Sequence, residues 1–95
     1  MSADFTCYNG TTFWGQNVYA VGSIPELGSW NTTNAVPLSP TAYPTWTGTV
    51  NNLPASTYVE WKCIKKYNGQ VVWQSGANNS FTTPASGTTS TSGSF

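Results

Sequence analysis

The segment Tyr58-Val59-Glu60-Trp61-Lys62-Cys63-Ile64-Lys65-Lys66-Tyr67-Asn68-Gly69-Gln70-Val71-Val72-Trp73-Gln74 decides the fold. From Tyr58 to Lys66 the residues alternate. Val59, Trp61 and Cys63 fall on one side, and Glu60, Lys62 and Ile64 on the other, the period-two pattern of a strand with one face in a core. Asn68-Gly69 follows, and both residues accept positive φ, so a tight turn leads into a second strand from Val71 to Gln74.

Outward from this hairpin the chain breaks into similar short pieces. Asp4 to Tyr8 alternates with Phe5 and Cys7 inward, and Asn17 to Ser23 is a strand rich in Val and Tyr. Val36-Pro37-Leu38 suits only an edge strand, because proline cannot donate to a ladder. Trp46 to Val50 alternates again, and Asn79 to Thr83 reads as the last strand. Turn-rich connections lie at Asn9 to Thr12 and Asn51 to Ser56, while Ser39 to Thr45 reads as a stiff exposed loop with prolines on either side of Tyr43. No stretch has helical periodicity over a useful length. Many short strands with regular turns predict an all-β antiparallel β-sandwich or open barrel. From Ala85 the chain is Ser, Thr and Gly up to Phe95, which reads as a flexible tail or linker (residues 85–95) behind a single folded module (residues 1–84).

Between the second strand and the edge strand lies Val21-Gly22-Ser23-Ile24-Pro25-Glu26-Leu27-Gly28-Ser29-Trp30. Its glycines and proline are too dense for a strand or helix interior, so it is a shaped loop. Two readings of its end stand side by side: Leu27 and Trp30 tuck back as a lid on the core, or Trp30 stands out as a flat stacking surface.

Composition narrows the function. With three basic and three acidic residues among 95, the chain has no field to attract nucleic acid or an anionic membrane. Its apolar runs are far too short to span a bilayer. Five Trp, five Tyr and four Phe are more than a small core hides, so some should be exposed for binding, and low charge with surplus aromatics suits a neutral, polyhydroxylated ligand. No secretory leader is visible, and Met1-Ser2 reads as an expression start.

Catalysis finds little support. There is no histidine, which removes His-based triads, most zinc sites and a histidine-bound copper centre. A glycosidase needs two carboxylates about 5–10 Å apart. Asp4 heads a strand, Glu26 lies in a loop and Glu60 is mid-strand, with nothing bringing any two together. The expectation is no catalytic residue, no metal and no cofactor. Cys7 and Cys63 both fall on core faces by strand alternation, which leaves buried free thiols and a bridge both open.

A run of motifs in order carries a family resemblance. Gly15-Gln16-Asn17-Val18-Tyr19-Ala20-Val21-Gly22-Ser23, Glu26-Leu27-Gly28-Ser29-Trp30, Pro44-Thr45-Trp46, Tyr58-Val59-Glu60-Trp61-Lys62-Cys63-Ile64-Lys65, Val72-Trp73-Gln74-Ser75 and Asn78 together resemble the starch-binding domains of carbohydrate-binding module family 20, best known from fungal glucoamylases. The resemblance implies an immunoglobulin-like sandwich of about seven to eight strands. It implies a non-catalytic module that binds starch, amylose, maltooligosaccharides and β-cyclodextrin and anchors an attached catalytic domain to granular starch. A secreted, extracellular protein is implied too, and in that setting a Cys7–Cys63 disulfide is the expectation.

The family's two sites carry over by residue. The paired tryptophans of the first correspond to Trp30 and Trp73, its lysine to Lys62 and its asparagine to Asn78. Trp61 and Trp46 read as core. Where glucoamylase modules have an acid followed by Asp-Pro-Asn-Arg, this chain has Gln74 and Gly76-Ala77-Asn78-Asn79, which predicts a less rigid loop. In the second site the family's aromatic corresponds to Trp14 and its tyrosine to Tyr43, with Gln16 and Asn17 placed to hydrogen-bond sugar hydroxyls. Two rival functions are weighed against this one. A fibronectin-type protein-interaction sandwich needs neither Trp30 nor Trp73 exposed. A module for glycogen, cellulose or another glucan differs in ring angles, which the sequence does not contain.

Overall fold

The computed structural model describes residues 1–95, folded as two packed β-sheets. The strands are β1 (Ser2–Tyr8), β2 (Asn17–Gly22), β3 (Val36–Pro37), β4 (Ser39–Ala42), β5 (Thr45–Val50), β6 (Tyr58–Tyr67), β7 (Gln70–Trp73), β8 (Asn79–Thr82) and β9 (Thr88–Ser94). One sheet runs β4-β5-β1-β9; the other runs β3-β2-β6-β7, with β8 also on β6. No sheet closes on itself, so the sandwich reading holds over the barrel.

β6 organises the second sheet. β2 pairs with it from Trp61 to Lys66, β7 from Ile64 to Tyr67 and β8 from Tyr58 to Trp61. Trp61 is paired with both β2 and β8, so β8 shares the β7 edge and leaves a gap in that ladder at Lys62-Cys63. The gap is where the first candidate site is built.

The core lies where the alternation placed it. Phe5, Cys7, Val18, Ala20, Val59, Trp61 and Cys63 are buried between the sheets, joined by Leu27 from the shaped loop. The Phe5 and Trp61 rings meet edge to face at 4.8 Å, and the Trp61 indole N–H donates to Thr91 Oγ1 at 3.0 Å. Trp46 is buried and donates to the Gly10 carbonyl at 2.8 Å. Cys7 and Cys63 form a disulfide that ties β1 of one sheet to β6 of the other. Its sequence separation is 56 residues, and on a chain-entropy view closing so long a loop contributes about 4 kcal/mol.

Three expectations are corrected. Residues 85–95 are no flexible tail: β9 pairs in parallel with the whole of β1, from Ser2↔Thr88 to Tyr8↔Ser94, so the sandwich is not purely antiparallel. Composition hid this strand because Ser and Thr carry no hydrophobic period. Thr89, Thr91 and Gly93 nevertheless alternate as half-buried positions with exposed Thr88, Ser90, Ser92 and Ser94. Ser39 to Thr45, expected as a loop, holds β4, an exposed edge strand with irregular register on β5 that tolerates Pro40 for want of an outer neighbour. These two strands raise the count from the expected seven or eight to nine.

Ile64 is the third. Alternation put it on the solvent face, yet both it and Val21 are fully buried, outside the main core cluster. The loop after β2 is tied to β6 beyond Ile64, where the Lys66 ammonium donates to the Thr32 carbonyl at 2.7 Å.

Candidate functional site

The shaped loop resolves its two readings by dividing them. Pro25–Leu27 forms a short 3-10 turn, ended by Gly28 at φ +85°, where a Cβ would strike the Asn34 and Asn31 carbonyl oxygens. Leu27 tucks into the core with no exposure, whereas Trp30 keeps 37% of its surface open. Trp30 itself adopts φ +64°, a conformation that costs a bulky L-residue on the order of 1–2 kcal/mol. Its N–H is held by the Gly22 carbonyl at 2.8 Å, so the strain fixes the direction of the indole.

Trp73, at the end of β7 and 44% exposed, stands opposite. It shares a strand face with Val71, which would allow a core position, but its exposure excludes one. The two ring centroids are 6.4 Å apart with planes inclined at 43°. Trp30, Lys62, Trp73 and Asn78 line one open cleft, so the four residues expected in the first site are brought together.

The loop after Trp73, expected to be less rigid than its glucoamylase counterpart, is tied to the sheet by hydrogen bonds. Gln74 is buried, and its N–H donates to the Cys63 carbonyl at 2.9 Å while its Oε1 accepts from the Cys63 N–H at 3.0 Å. One residue, with its backbone N–H and its side-chain carbonyl, thus supplies both bonds of the missing ladder rung between β7 and β8. Gln74 and Asn79 exchange two amide bonds at 2.9 Å each. Lys62 does not simply face solvent; its ammonium donates to the Gln74 carbonyl at 2.9 Å and also to that of Gly76, which leaves one of its three N–H groups for a ligand. Asn78 donates from Nδ2 to Glu60 Oε1 at 2.8 Å.

A second cleft lies on another part of the surface. Trp14, Gln16, Asn17 and Tyr43 line it together with Phe13, Pro40 and the edge of Trp46. Trp14 is 98% exposed, at the tip of a turn closed by the Gln16 N–H on the Phe13 carbonyl at 3.0 Å. The turn is braced from three sides. Phe13 stacks edge to face on Tyr67 at 4.9 Å, the Tyr43 hydroxyl accepts from the Thr12 N–H at 3.1 Å, and Lys65 donates to the Thr11 carbonyl at 2.7 Å. Asn17 Nδ2 reaches back to the Gly15 carbonyl at 3.5 Å.

Phe13, which lines the second cleft, and Glu60, which bonds Asn78 of the first, were not expected there. Glu60 was weighed only as a catalytic acid, and the adjacent Phe13-Trp14 pair was the one available pointer to Phe13. No group of His, Cys, Asp and Glu is arranged to hold a metal ion.

Comparison with known proteins accords with this geometry. The family model described as "Starch binding domain" matches residues 1–93. A solved structure of the family 20 carbohydrate-binding module of a maltotetraose-forming amylase from Pseudomonas saccharophila superposes with a TM-score of 0.90 at 43% identity, covering 100% of both chains. A cyclomaltodextrin glucanotransferase from Klebsiella oxytoca is 49% identical over 99% of this chain, which spans 14% of that relative. Glucoamylase-1 of Schizophyllum commune is 52% identical over 81% of this chain and 13% of its own length. The likeness thus reaches bacterial as well as fungal proteins, and the chain corresponds to a small part of each of these longer relatives.

Proposed function

The chain belongs to the starch-binding domains of carbohydrate-binding module family 20, a non-catalytic family, and from that premise we propose that it holds α-1,4-glucan on two separate aromatic surfaces. The first consists of Trp30 and Trp73 with Lys62 and Asn78, the second of Trp14 and Tyr43 with Gln16 and Asn17. The observation that carries the reading is the 43° inclination of the Trp30 and Trp73 planes over one cleft. A glucose ring offers an apolar face of C–H groups to an aromatic plane and hydroxyls at its rim, so stacking supplies roughly 1 kcal/mol or more per sugar. A flat crystalline glucan wants a coplanar row of rings; a curved α-1,4 chain fits two rings at an angle. A protein-interaction sandwich has no use for two exposed tryptophans so arranged.

In the parent chain the module anchors a catalytic domain to granular starch. The parent is a secreted protein, a reading supported by the disulfide and by the amylolytic relatives. Amylose, maltooligosaccharides and β-cyclodextrin are its soluble ligands. The test is retention on raw starch granules with and without excess β-cyclodextrin, alongside calorimetric titration with maltoheptaose. Retention that cyclodextrin abolishes is the expected result; no retention, or binding to crystalline cellulose instead, overturns the reading.

A further inference from the structure

The carboxylate of Glu60 is bonded to Asn78, one of the four residues that line the first cleft. Glu60 is on β6, opposite Ser80 of β8, and its backbone is clamped on the other side by Ser23: the Ser23 N–H donates to its carbonyl at 2.9 Å and its own N–H donates to Ser23 Oγ at 3.1 Å. From this fixed position its Oε1 accepts the Asn78 Nδ2 at 2.8 Å.

A primary amide has a donor end and an acceptor end of nearly the same shape, so an unrestrained asparagine presents either one. An ionised carboxylate only accepts. Turning the Asn78 amide over would set its carbonyl against the Glu60 carboxylate, which fixes the donor end toward Glu60. Asn78 Oδ1, which takes no hydrogen bond from the protein, is left as the acceptor of a cleft whose other polar group, Lys62, only donates.

We propose that Glu60 is a positioning residue of the first cleft: it sets the polarity of Asn78 so that the amide carbonyl accepts from a sugar hydroxyl. This rests on the assignment of that cleft as a glucan site. Glu60 acts through Asn78 and touches no sugar itself.

Exchanging the polarity of the pair tests this, in a Trp14→Ala background so that only the first cleft reports. Asn78→Asp sets two carboxylates against each other, and the Kd for maltoheptaose should rise about tenfold or more. Glu60→Gln still offers an acceptor to Asn78 and should stay within about threefold of the background, while Glu60→Ala frees the amide and should weaken binding about fivefold. The double variant Glu60→Gln with Asn78→Asp restores the bond with donor and acceptor exchanged and leaves a carboxylate oxygen for the sugar. Its affinity should return to within about threefold of the background. Melting temperatures measured in parallel separate binding from folding, since a purely structural contact would move Tm in step with affinity. Glu60→Ala binding as tightly as the background, or a double variant no tighter than Asn78→Asp alone, overturns the proposal. Undiminished binding by Trp73→Ala in the same background removes the cleft assignment itself.

Discussion

Lys62 and Gln74 face each other across the gap that β7 and β8 leave on β6: the Lys62 ammonium donates to the Gln74 carbonyl, and the Gln74 side chain completes the ladder at Cys63. The loop that carries Asn78 is therefore an extension of the sheet, and the residue that departs from the glucoamylase pattern is the one that holds it. A glutamate at position 74 has no amide Nε2 to give to Asn79.

Gln74→Ala should accordingly cost about 1–3 kcal/mol of stability, because it leaves the buried Cys63 N–H without its partner. Urea denaturation followed by Trp fluorescence measures the loss. A change within about 0.5 kcal/mol would mean that water or a shifted backbone replaces the glutamine.

The indoles of the first cleft should behave differently. Trp30→Ala and Trp73→Ala each remove a half-exposed ring, so the fold should persist while maltoheptaose binding weakens by about 1–3 kcal/mol per ring. Calorimetry and a thermal melt on the same samples decide the matter. Either variant binding like the parent, or unfolding, withdraws the stacking assignment.

Trp14 carries the case for a second site. On the proposed two-site reading each cleft alone would stack few sugars, so single-site Kd values should lie on the order of 10–100 μM. On that proposal a granule chain held at Trp30 and Trp73 would present others to Trp14 and Tyr43 at high effective concentration. Trp14→Ala should therefore lose a much larger fraction of binding on granular starch than on maltotriose. Equal fractional losses on both would merge Trp14 into a single site.

Removal of residues 85–95 is the direct test of the last strand. A loose tail could be cut without consequence. Here the cut strips a parallel partner from all of β1 and the Thr91 acceptor from the Trp61 indole, so the truncated chain should lose several kcal/mol and fail to fold cooperatively. Far-UV circular dichroism and a thermal melt read this out, and an unchanged Tm would falsify the structural role.

The sequence alone determined the strands that have a hydrophobic side. Phe5 and Cys7, Val59 and Trp61, and the Asn68-Gly69 turn follow from period-two burial and from backbone tolerance of positive φ, both local properties. The candidate tryptophans were legible through the spacing of a family pattern. Tertiary structure alone decided what depends on a partner far along the chain. β9 exists because β1 offers it a ladder, although its own side chains carry no apolar period. Ile64 is buried although its strand parity points it away from the core, and Gln74 is structural because β8 follows β7 on the same edge of β6. The angle between Trp30 and Trp73 belongs to this group too. It is set by a left-handed backbone at one ring and the end of a strand at the other, and no alternation of residue types encodes the relation between them.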